Sequence, residues 1–154
     1  MYKRILVPLD GSELAECALK HVRAIAKGCK VDKVVLLRVL EPLLSLLTPH
    51  DDTSVKRVRE AEDKLEADAR EYLNKVAGNL KKDGILVETE LVVNGEPAAK
   101  IIETAKEDEA TLIIISTHGR SGVSSWLFGS VAERVVHHSP VPVLMVVARS
   151  CRLG

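Results

Sequence analysis

The stretch from Ser116 to Ser130 is the part of the sequence whose residue types and spacing point most clearly to chemistry. It contains glycines at 119, 122 and 129 and joins a predicted buried strand to a predicted helix. Glycines let backbone N–H groups approach a phosphate closely, and the first turn of a helix adds unpaired N–H donors and the positive end of the helix dipole. The stretch therefore favours an anion site, with Gly129 and Ser130 at the start of the helix.

His118 and Arg120 lie in the same stretch and could donate further hydrogen bonds to an anion. Their residue types fit an exposed loop equally well. Ser130 is followed three residues later by Glu133, which is also the pattern of a helix capping box. The loop glycines could serve only to supply positive backbone angles in a tight turn. Spacing alone leaves the phosphate site and these structural explanations open.

Catalytic motifs have less support than the anion site. The sequence has no GxGxxG dinucleotide loop, no GxxxxGK[ST] phosphate loop and no GxSxG nucleophile elbow. Asp10 and His118 are the candidate acid or base groups, and neither has a motif-level partner that would fix such a role. The cysteines at 17, 29 and 151 show no metal-ligand spacing. We therefore predict no catalytic residue and no metal site made of protein ligands.

The elements that position these residues alternate between strand and helix patterns, in the order βαβαβαβαβ. Such alternation predicts an α/β fold, with an open, doubly wound sheet of five mainly parallel strands and about four helices, in a single domain over residues 1–154. The predicted strands are Arg4 to Leu9, Lys33 to Leu40, Leu86 to Val93, Thr111 to Ser116 and Val141 to Val147. The predicted helices run from Ser12 to Gly28, from about Ser54 to Lys82, from Pro97 to about Glu107 and from Ser130 to about His138.

Sheets of this kind bind ligands beyond the carboxyl ends of their strands, where the strand order reverses. The loop that starts at Pro8 and contains Asp10 follows the first strand, and Val39 lies near the end of the second. These positions and the glycine-rich stretch should therefore meet at one edge of the sheet. Asp10 also fits a purely structural role, in which its carboxylate bonds to nearby backbone N–H groups.

The last predicted strand, Val141 to Val147, should lie at a sheet edge. Pro140 and Pro142 cannot donate the hydrogen bonds that a central strand needs. An edge this apolar is usually covered, and pairing with a symmetry-related copy would cover it. We therefore predict a homodimer through this C-terminal strand.

Composition excludes several classes of protein. The 154 residues carry 22 Lys and Arg against 22 Asp and Glu, and 46% are hydrophobic but only 3% aromatic. This argues against disorder and against a nucleic-acid binder, which needs a basic face or stacking aromatic side chains. No stretch has the pattern of a signal peptide or a membrane span. The odd cysteine count predicts free thiols in a reducing cytoplasm.

Five segments together resemble the universal stress protein family, and the resemblance covers nearly the whole chain. They are Val7-Pro-Leu-Asp-Gly-Ser12, Val93-Asn-Gly-Glu-Pro97, Thr117-His-Gly-Arg-Ser-Gly122, Gly129-Ser-Val-Ala-Glu-Arg-Val135 and Ser139-Pro-Val-Pro-Val-Leu144. The ATP-binding branch of that family carries the pattern G-x2-G-x9-G-[ST]. Gly119, Gly129 and Ser130 match its last three fixed positions, while Ser116 stands where the family has glycine.

The resemblance implies a Rossmann-like fold of the adenine-nucleotide alpha-hydrolase type and a stress-response or signalling module that binds ATP or a related adenine nucleotide with Mg²⁺ or Mn²⁺. It implies that Asp10 contacts the ribose or adenosine side, that the Val39 backbone faces the adenine, and that Gly119, Gly129, Ser130 and Val131 hold the phosphates. Any ATP hydrolysis would be slow.

Ser116 affects the expected affinity, because its Cβ and hydroxyl could crowd the ribose or α-phosphate or restrict the backbone if a positive φ is needed. A weakened site is expected rather than an abolished one. The alternative function is a dimeric protein-interaction module with a vestigial nucleotide site.

Overall fold

The structure is a computed structural model, and it describes residues 1–43, 52–117 and 129–147. Its five strands form one parallel sheet in the order β3-β2-β1-β4-β5. The strands are β1 (Arg4–Pro8), β2 (Lys33–Leu40), β3 (Val87–Val93), β4 (Leu112–Ser116) and β5 (Val143–Val146). The predicted parallel α/β fold is confirmed, and β5 lies at an edge as the two prolines indicated.

Five helices are present in the described residues, and the first predicted helix and the last predicted strand differ most from their predicted bounds. The helices are α1 (Glu13–Glu16), α2 (Ala18–Cys29), α3 (Asp52–Lys82), α4 (Pro97–Glu107) and α5 (Ser130–His138). The single first helix predicted from Ser12 to Gly28 is divided at Cys17, and Gly28 does not end it. The second part ends instead at Lys30, which takes the left-handed conformation with φ of 50°. β5 is shorter than predicted because pairing with β4 begins only after Pro142.

Strand residues alternate between two apolar layers, since successive side chains of a strand point to opposite faces of the sheet. Ile5 and Val7 pack with α1, α2 and α3 on one face, whereas Leu6 packs with α4 and α5 on the other. Both layers consist almost entirely of Val, Ile, Leu and Ala, in keeping with the low aromatic content.

The direction of strand addition reverses at β1. The chain runs from β1 outward to β2 and β3, and β4 then pairs with the other side of β1. The connections to β2 and β3 (α1, α2 and α3) therefore lie on one face, and the connections to β4 and β5 (α4 and α5) lie on the other. A crevice opens between the carboxyl ends of β1 and β4. Pro8 ends β1 and Ser116 ends β4, so these residues border the crevice.

The cysteines were predicted to be three free thiols. Cys29 is free and exposed, Cys17 is buried, and Cys151 lies outside the described residues. The cytoplasmic location stays a prediction. Within the described residues, none of the helices combines the length and apolar character needed to cross a membrane.

Candidate functional site

A cavity of about 540 Å³ opens at the crevice between β1 and β4. This volume lies within the range of small-molecule sites. The cavity is lined by seven residues that the sequence predicted for the site: Pro8, Asp10, Val39, Ser116, Gly129, Ser130 and Val131. The other predicted site residues, His118, Gly119 and Arg120, lie outside the described residues.

The loop after β1 is held by a compact set of hydrogen bonds. One oxygen of Asp10, Oδ1, accepts bonds from the backbone N–H of Ser12 at 2.9 Å and from its hydroxyl at 2.6 Å. The Ser12 hydroxyl oxygen in turn accepts from the N–H of Ala15 at 3.1 Å and caps α1. The structural role considered for Asp10 is therefore present, in a residue that also lines the cavity.

The first turn of α5 faces the cavity without a side-chain cap. Gly129 is the N-cap residue and Ser130 is already the first helical residue, so the capping box of Ser130 and Glu133, one of the structural alternatives left open by the sequence, is not formed. Glycine has no side chain with which to accept the N–H groups of the first turn. These groups therefore keep the donor capacity and positive dipole end that suit an anion.

Only glycine fits at position 129. Its N–H donates to the carbonyl oxygen of Thr117 at 2.8 Å, and a Cβ placed on Gly129 would lie 2.8 Å from the same oxygen. A contact this short cannot be kept, because the obstacle is backbone rather than a flexible side chain. Gly129 thus allows the start of α5 to pack directly against the end of β4.

Ser116 has a buried hydroxyl in the cavity wall. The residue is 8% exposed, and its Oγ has no hydrogen-bond partner among the described residues. Ser116 is not among the residues with positive φ, so its backbone does not need glycine in this conformation. Any handicap to a ligand must therefore come from the Cβ and hydroxyl.

Arg38 also lines the cavity, and the sequence reasoning missed it. The residue is 7% exposed, and its guanidinium carbon lies 5.4 Å from the ring centroid of Tyr72. The signal was a cation between Leu37 and Val39, inside the otherwise apolar run that follows Lys33 in β2. A buried charge in such a run is costly unless the surroundings compensate it, so it marks a specific local structure.

The pKa of the Tyr72 hydroxyl is shifted by burial and by charged groups beside the cavity. Burial raises the pKa of its hydroxyl well above the ordinary value, and the carboxylates of Glu16 and Asp10 raise that pKa further. The positive charge of Arg38 acts in the opposite direction on the Tyr72 pKa. Tyr72 therefore stays protonated at physiological pH and lies within the field of both acidic groups.

Leu43 and Leu65 add apolar wall on the side of α3. The backbone N–H of Leu43 donates to Glu62 Oε1 at 3.1 Å, which ties the chain after β2 to α3. Sequence reasoning did not predict Leu65 at the site, because nothing local in the sequence sets how α3 crosses the sheet. Among residues 1–43, 52–117 and 129–147, no group of three or more His, Cys, Asp or Glu side chains could hold a metal ion.

The fold and the cavity define a class: a parallel α/β protein whose ligand crevice lies at the reversal of strand order, beside the start of a helix. Residues 1–147 match the family model of the Universal stress protein family. The chain belongs to the universal stress protein family, as its five sequence segments suggested.

Similar proteins have comparable lengths and the same fold. The chain is 36% identical to the universal stress protein MJ0577 of Methanocaldococcus jannaschii, over 95% of each chain. The solved structure of MJ0577 matches with a TM-score of 0.84 over 96% of each chain, at 35% identity. A universal stress protein from Archaeoglobus fulgidus in complex with dAMP matches with a TM-score of 0.64 at 25% identity, over 94% of this chain and 97% of that one.

Proposed function

We propose that the protein is a stress-response or signalling module that binds ATP or a related adenine nucleotide at the cavity between β1 and β4. The observation that carries the proposal is the meeting of Asp10, Val39 and the uncapped start of α5 in one cavity. A nucleotide needs an acceptor for its hydroxyls, an apolar wall with backbone groups for its base, and donors for its phosphates.

The phosphates would lie at the start of α5. Gly129, Ser130 and Val131 line the cavity there, and backbone N–H groups at a helix N-terminus attract anions through both hydrogen bonding and the helix dipole. Gly119, His118 and Arg120 remain part of this proposal through the family resemblance. Because the chain has a formal net charge of +0, these local donors rather than a global field would attract the phosphates.

The base would lie against aliphatic side chains. Leu37, Val39, Leu43, Ile101 and Ile115 line the cavity, so apolar contact and backbone hydrogen bonds would replace aromatic stacking. The dAMP complex of the similar Archaeoglobus fulgidus protein supports an adenine nucleotide as the ligand class. Asp10 would accept a hydrogen bond from the ribose.

A divalent ion would be carried largely by the nucleotide itself. Asp10 is one carboxylate in the cavity, and the described residues offer no cluster of three metal-ligating side chains. Mg²⁺ commonly binds substrate phosphates and keeps several waters, so Mg²⁺ or Mn²⁺ would enter with the triphosphate. The ion would offset phosphate charge. We include no committed catalytic residue, and any hydrolysis would be slow.

The proposal also includes a homodimer through β5, in a single domain of the cytoplasm that spans residues 1–154. Val143, Leu144 and Met145 of this edge strand are only partly buried within the chain. A two-fold pairing of β5 with its copy would cover them and satisfy the open edge. A dimer with a vestigial nucleotide site is the second candidate function, favoured by the serine at position 116.

Calorimetry with Mg-ATP and mass spectrometry of ligand released from freshly purified protein test the function. Stoichiometric binding and a released adenine nucleotide are expected. The absence of both would favour the vestigial site. The variant Gly129→Ala should weaken binding at least about tenfold, because its Cβ would push the first turn of α5 away from Thr117.

The matched control is Gly78→Ala, since Gly78 lies in α3 and a Cβ there meets no atom within 4 Å. This control should bind like the unchanged protein. Equal binding by both variants would mean that the phosphates do not lie at the start of α5.

A further inference from the structure

Arg38 is a buried cation that contacts separate parts of the chain beside the cavity. It lies near the carboxyl end of β2, is 7% exposed and lines the candidate nucleotide cavity. Burying a guanidinium among apolar strands is unfavourable unless neighbouring groups compensate for the lost water. Two of the groups against it are a loop backbone and an aromatic ring, which come from separate parts of the chain.

The loop backbone at Gly11 packs directly on the guanidinium. A Cβ built on Gly11 would lie 3.0 Å from each of Cζ, Nη1 and Nη2 of Arg38. Equal distances to these atoms mean that Gly11 lies over the face of the guanidinium rather than beside its edge. Gly11 has a φ of +85°, so the residue also uses the left-handed freedom of glycine to make this approach.

The ring of Tyr72 in α3 lies against the same group. Its centroid is 5.4 Å from Cζ of Arg38, within the range of a cation–π contact. The planar guanidinium can pack on a backbone and on a ring at once, which the ammonium group of lysine cannot. Arg38 therefore connects the loop after β1 to the long helix α3.

The loop that Arg38 supports carries Asp10. The two bonds from Ser12 to Asp10 Oδ1 fix the shape of the loop internally, but they do not fix where the loop sits on the sheet. The N–H of Leu9 anchors the start of the loop to the carbonyl oxygen of Leu37 in β2 at 2.8 Å, and the flat contact between Gly11 and Arg38 supports the loop further on, one residue from Asp10. The carboxylate of Asp10 raises the pKa of Tyr72, and the positive charge of Arg38 lowers it. Both charges therefore lie close enough to Tyr72 to interact with it electrostatically.

We propose that Arg38 is a positioning residue of the nucleotide site, whose guanidinium supports the loop at Gly11 and thereby holds Asp10 at the cavity. This inference rests on the proposed function and deepens it, since Arg38 acts on the ligand through Asp10. A cation from β2, and not the loop sequence alone, sets the geometry on the ribose side of the site.

Binding of Mg-ATP to Arg38 variants tests the inference. Arg38→Lys keeps the positive charge but removes the planar guanidinium group. Arg38→Met removes both the charge and the planar group. Each should bind about tenfold more weakly than the unchanged protein. Arg70→Lys is the matched control, because Arg70 lies two residues before Tyr72 in α3 and its guanidinium pairs with Glu66 at the surface. It should leave the affinity unchanged.

A double-mutant comparison separates positioning from a general loss of stability. Asp10→Asn should weaken binding in the unchanged protein but add little in the Arg38→Met background, because Asp10 is already misplaced there. Fully additive losses would overturn the inference, and so would unchanged affinity in both Arg38 variants.

A comparison of two glycines tests the contact without any ligand. Gly11 and Gly84 both have positive φ, at +85° and +79°, but a Cβ on Gly84 meets no atom within 4 Å. Gly11→Ala should therefore lower Tm by about 3 °C more than Gly84→Ala, and the excess should shrink in the Arg38→Met background. If the excess loss of Tm in Gly11→Ala is the same with and without Arg38, the guanidinium does not support the loop.

The two kinds of failure can be told apart. If the unchanged protein binds no adenine nucleotide, the proposed function fails, and the glycine comparison still decides whether Arg38 supports the loop. If the unchanged protein binds and the Arg38 variants bind equally well, the proposed function stands and the positioning role is overturned.

Discussion

Ser116 combines two features that act on different properties of the protein. Its hydroxyl is buried without a hydrogen-bond partner among the described residues, which lowers the stability of the free protein. Its Cβ and hydroxyl also occupy the cavity wall where the resembling family has glycine. The effect on stability concerns the hydroxyl alone, whereas the effect on the ligand concerns the whole side chain. Ser116→Ala and Ser116→Gly therefore separate the two effects.

Ser116→Ala should raise the free energy of unfolding by about 1 kcal/mol, because it removes a buried hydroxyl that has no hydrogen-bond partner among the described residues. Urea unfolding measures this change. The control is Ser139→Ala, which should act in the opposite direction, since the Ser139 hydroxyl donates to the carbonyl of Val141 at 2.7 Å and accepts from its N–H. A loss of stability in Ser116→Ala would mean that the hydroxyl has a partner in solution.

Ser116→Gly should tighten the binding of Mg-ATP severalfold if the side chain crowds the ligand. Calorimetry on the glycine and alanine variants shows whether Cβ or the hydroxyl is responsible. Unchanged affinity in both would show that the departure from the glycine pattern does not hinder the ligand.

At the scale of residues, the sequence predicted those parts of the site that follow from strand ends and helix starts. Pro8, Ser116 and Gly129 were predictable because parallel strands bring their carboxyl ends to one edge. The place of Arg38 in the site was not predictable, because it depends on contacts with Gly11 and Tyr72, which lie far from Arg38 in the sequence. The sequence pattern alone also could not show that Ser130 begins α5 without capping it.

Element boundaries were predicted best where one residue type determines the backbone. Pro97 begins α4 as predicted, because proline suits the first helical turn. The cap of this helix is Glu96, whose two oxygens accept from Ala98 and Ala99 at 3.2 and 2.9 Å. The division of the first helix at Cys17 has no comparable local signal, and α2 passes Gly28 because helical glycine is merely less favourable.

The packing of β3 against the end of α4 brings like charges together. Partial burial of Glu90 raises the pKa of its carboxyl, and the acidic groups of Asp108 and Glu107 raise it further. A bond from Thr104 and the charge of Lys33 lower the Glu90 pKa, but by less. The folded protein therefore holds the Glu90 proton more tightly than the unfolded chain does.

Stability should consequently fall as the pH rises from the ordinary carboxyl pKa of 4.5 through the raised pKa of Glu90. Glu90→Gln should lessen this fall and raise the free energy of unfolding at pH 7 by about 0.5 kcal/mol, since solvent screens a partly exposed group. Urea unfolding across pH 4 to 8 measures the effect.

Glu88→Gln is the control on the same strand face, and it should be neutral or slightly destabilising because Glu88 pairs with Lys33 at 2.8 Å. A steeper fall in Glu90→Gln would contradict the assignment.

At the scale of the whole molecule, the two edges of the sheet differ in a way that bears on assembly. β3 forms one edge of the sheet and carries Glu88, which is exposed, and Glu90, which is partly buried. Charges on an edge strand discourage further pairing. β5 ends the other side with valine, leucine and methionine. The edge position of β5 was predictable from its flanking prolines, while the identity of the opposite edge required the three-dimensional pairing.

A charge at the β5 edge should therefore separate the proposed dimer, whereas the same charge at the β3 edge should not. Val147 directly follows β5 and is 48% exposed, and Val93 ends β3 and is 39% exposed, so the two valines are matched in type and exposure. Placing a carboxylate at Val147 would bury it against the apolar β5 edge of the partner copy, where a charge without a counter-ion is costly. Val147→Glu should sediment as a monomer over a range of concentrations, and Val93→Glu should sediment like the unchanged protein. Circular dichroism confirms that both variants are folded. Monomers from Val93→Glu together with an intact Val147→Glu dimer would move the interface to the β3 edge, because a folded chain loses only the contact at which the charge was placed.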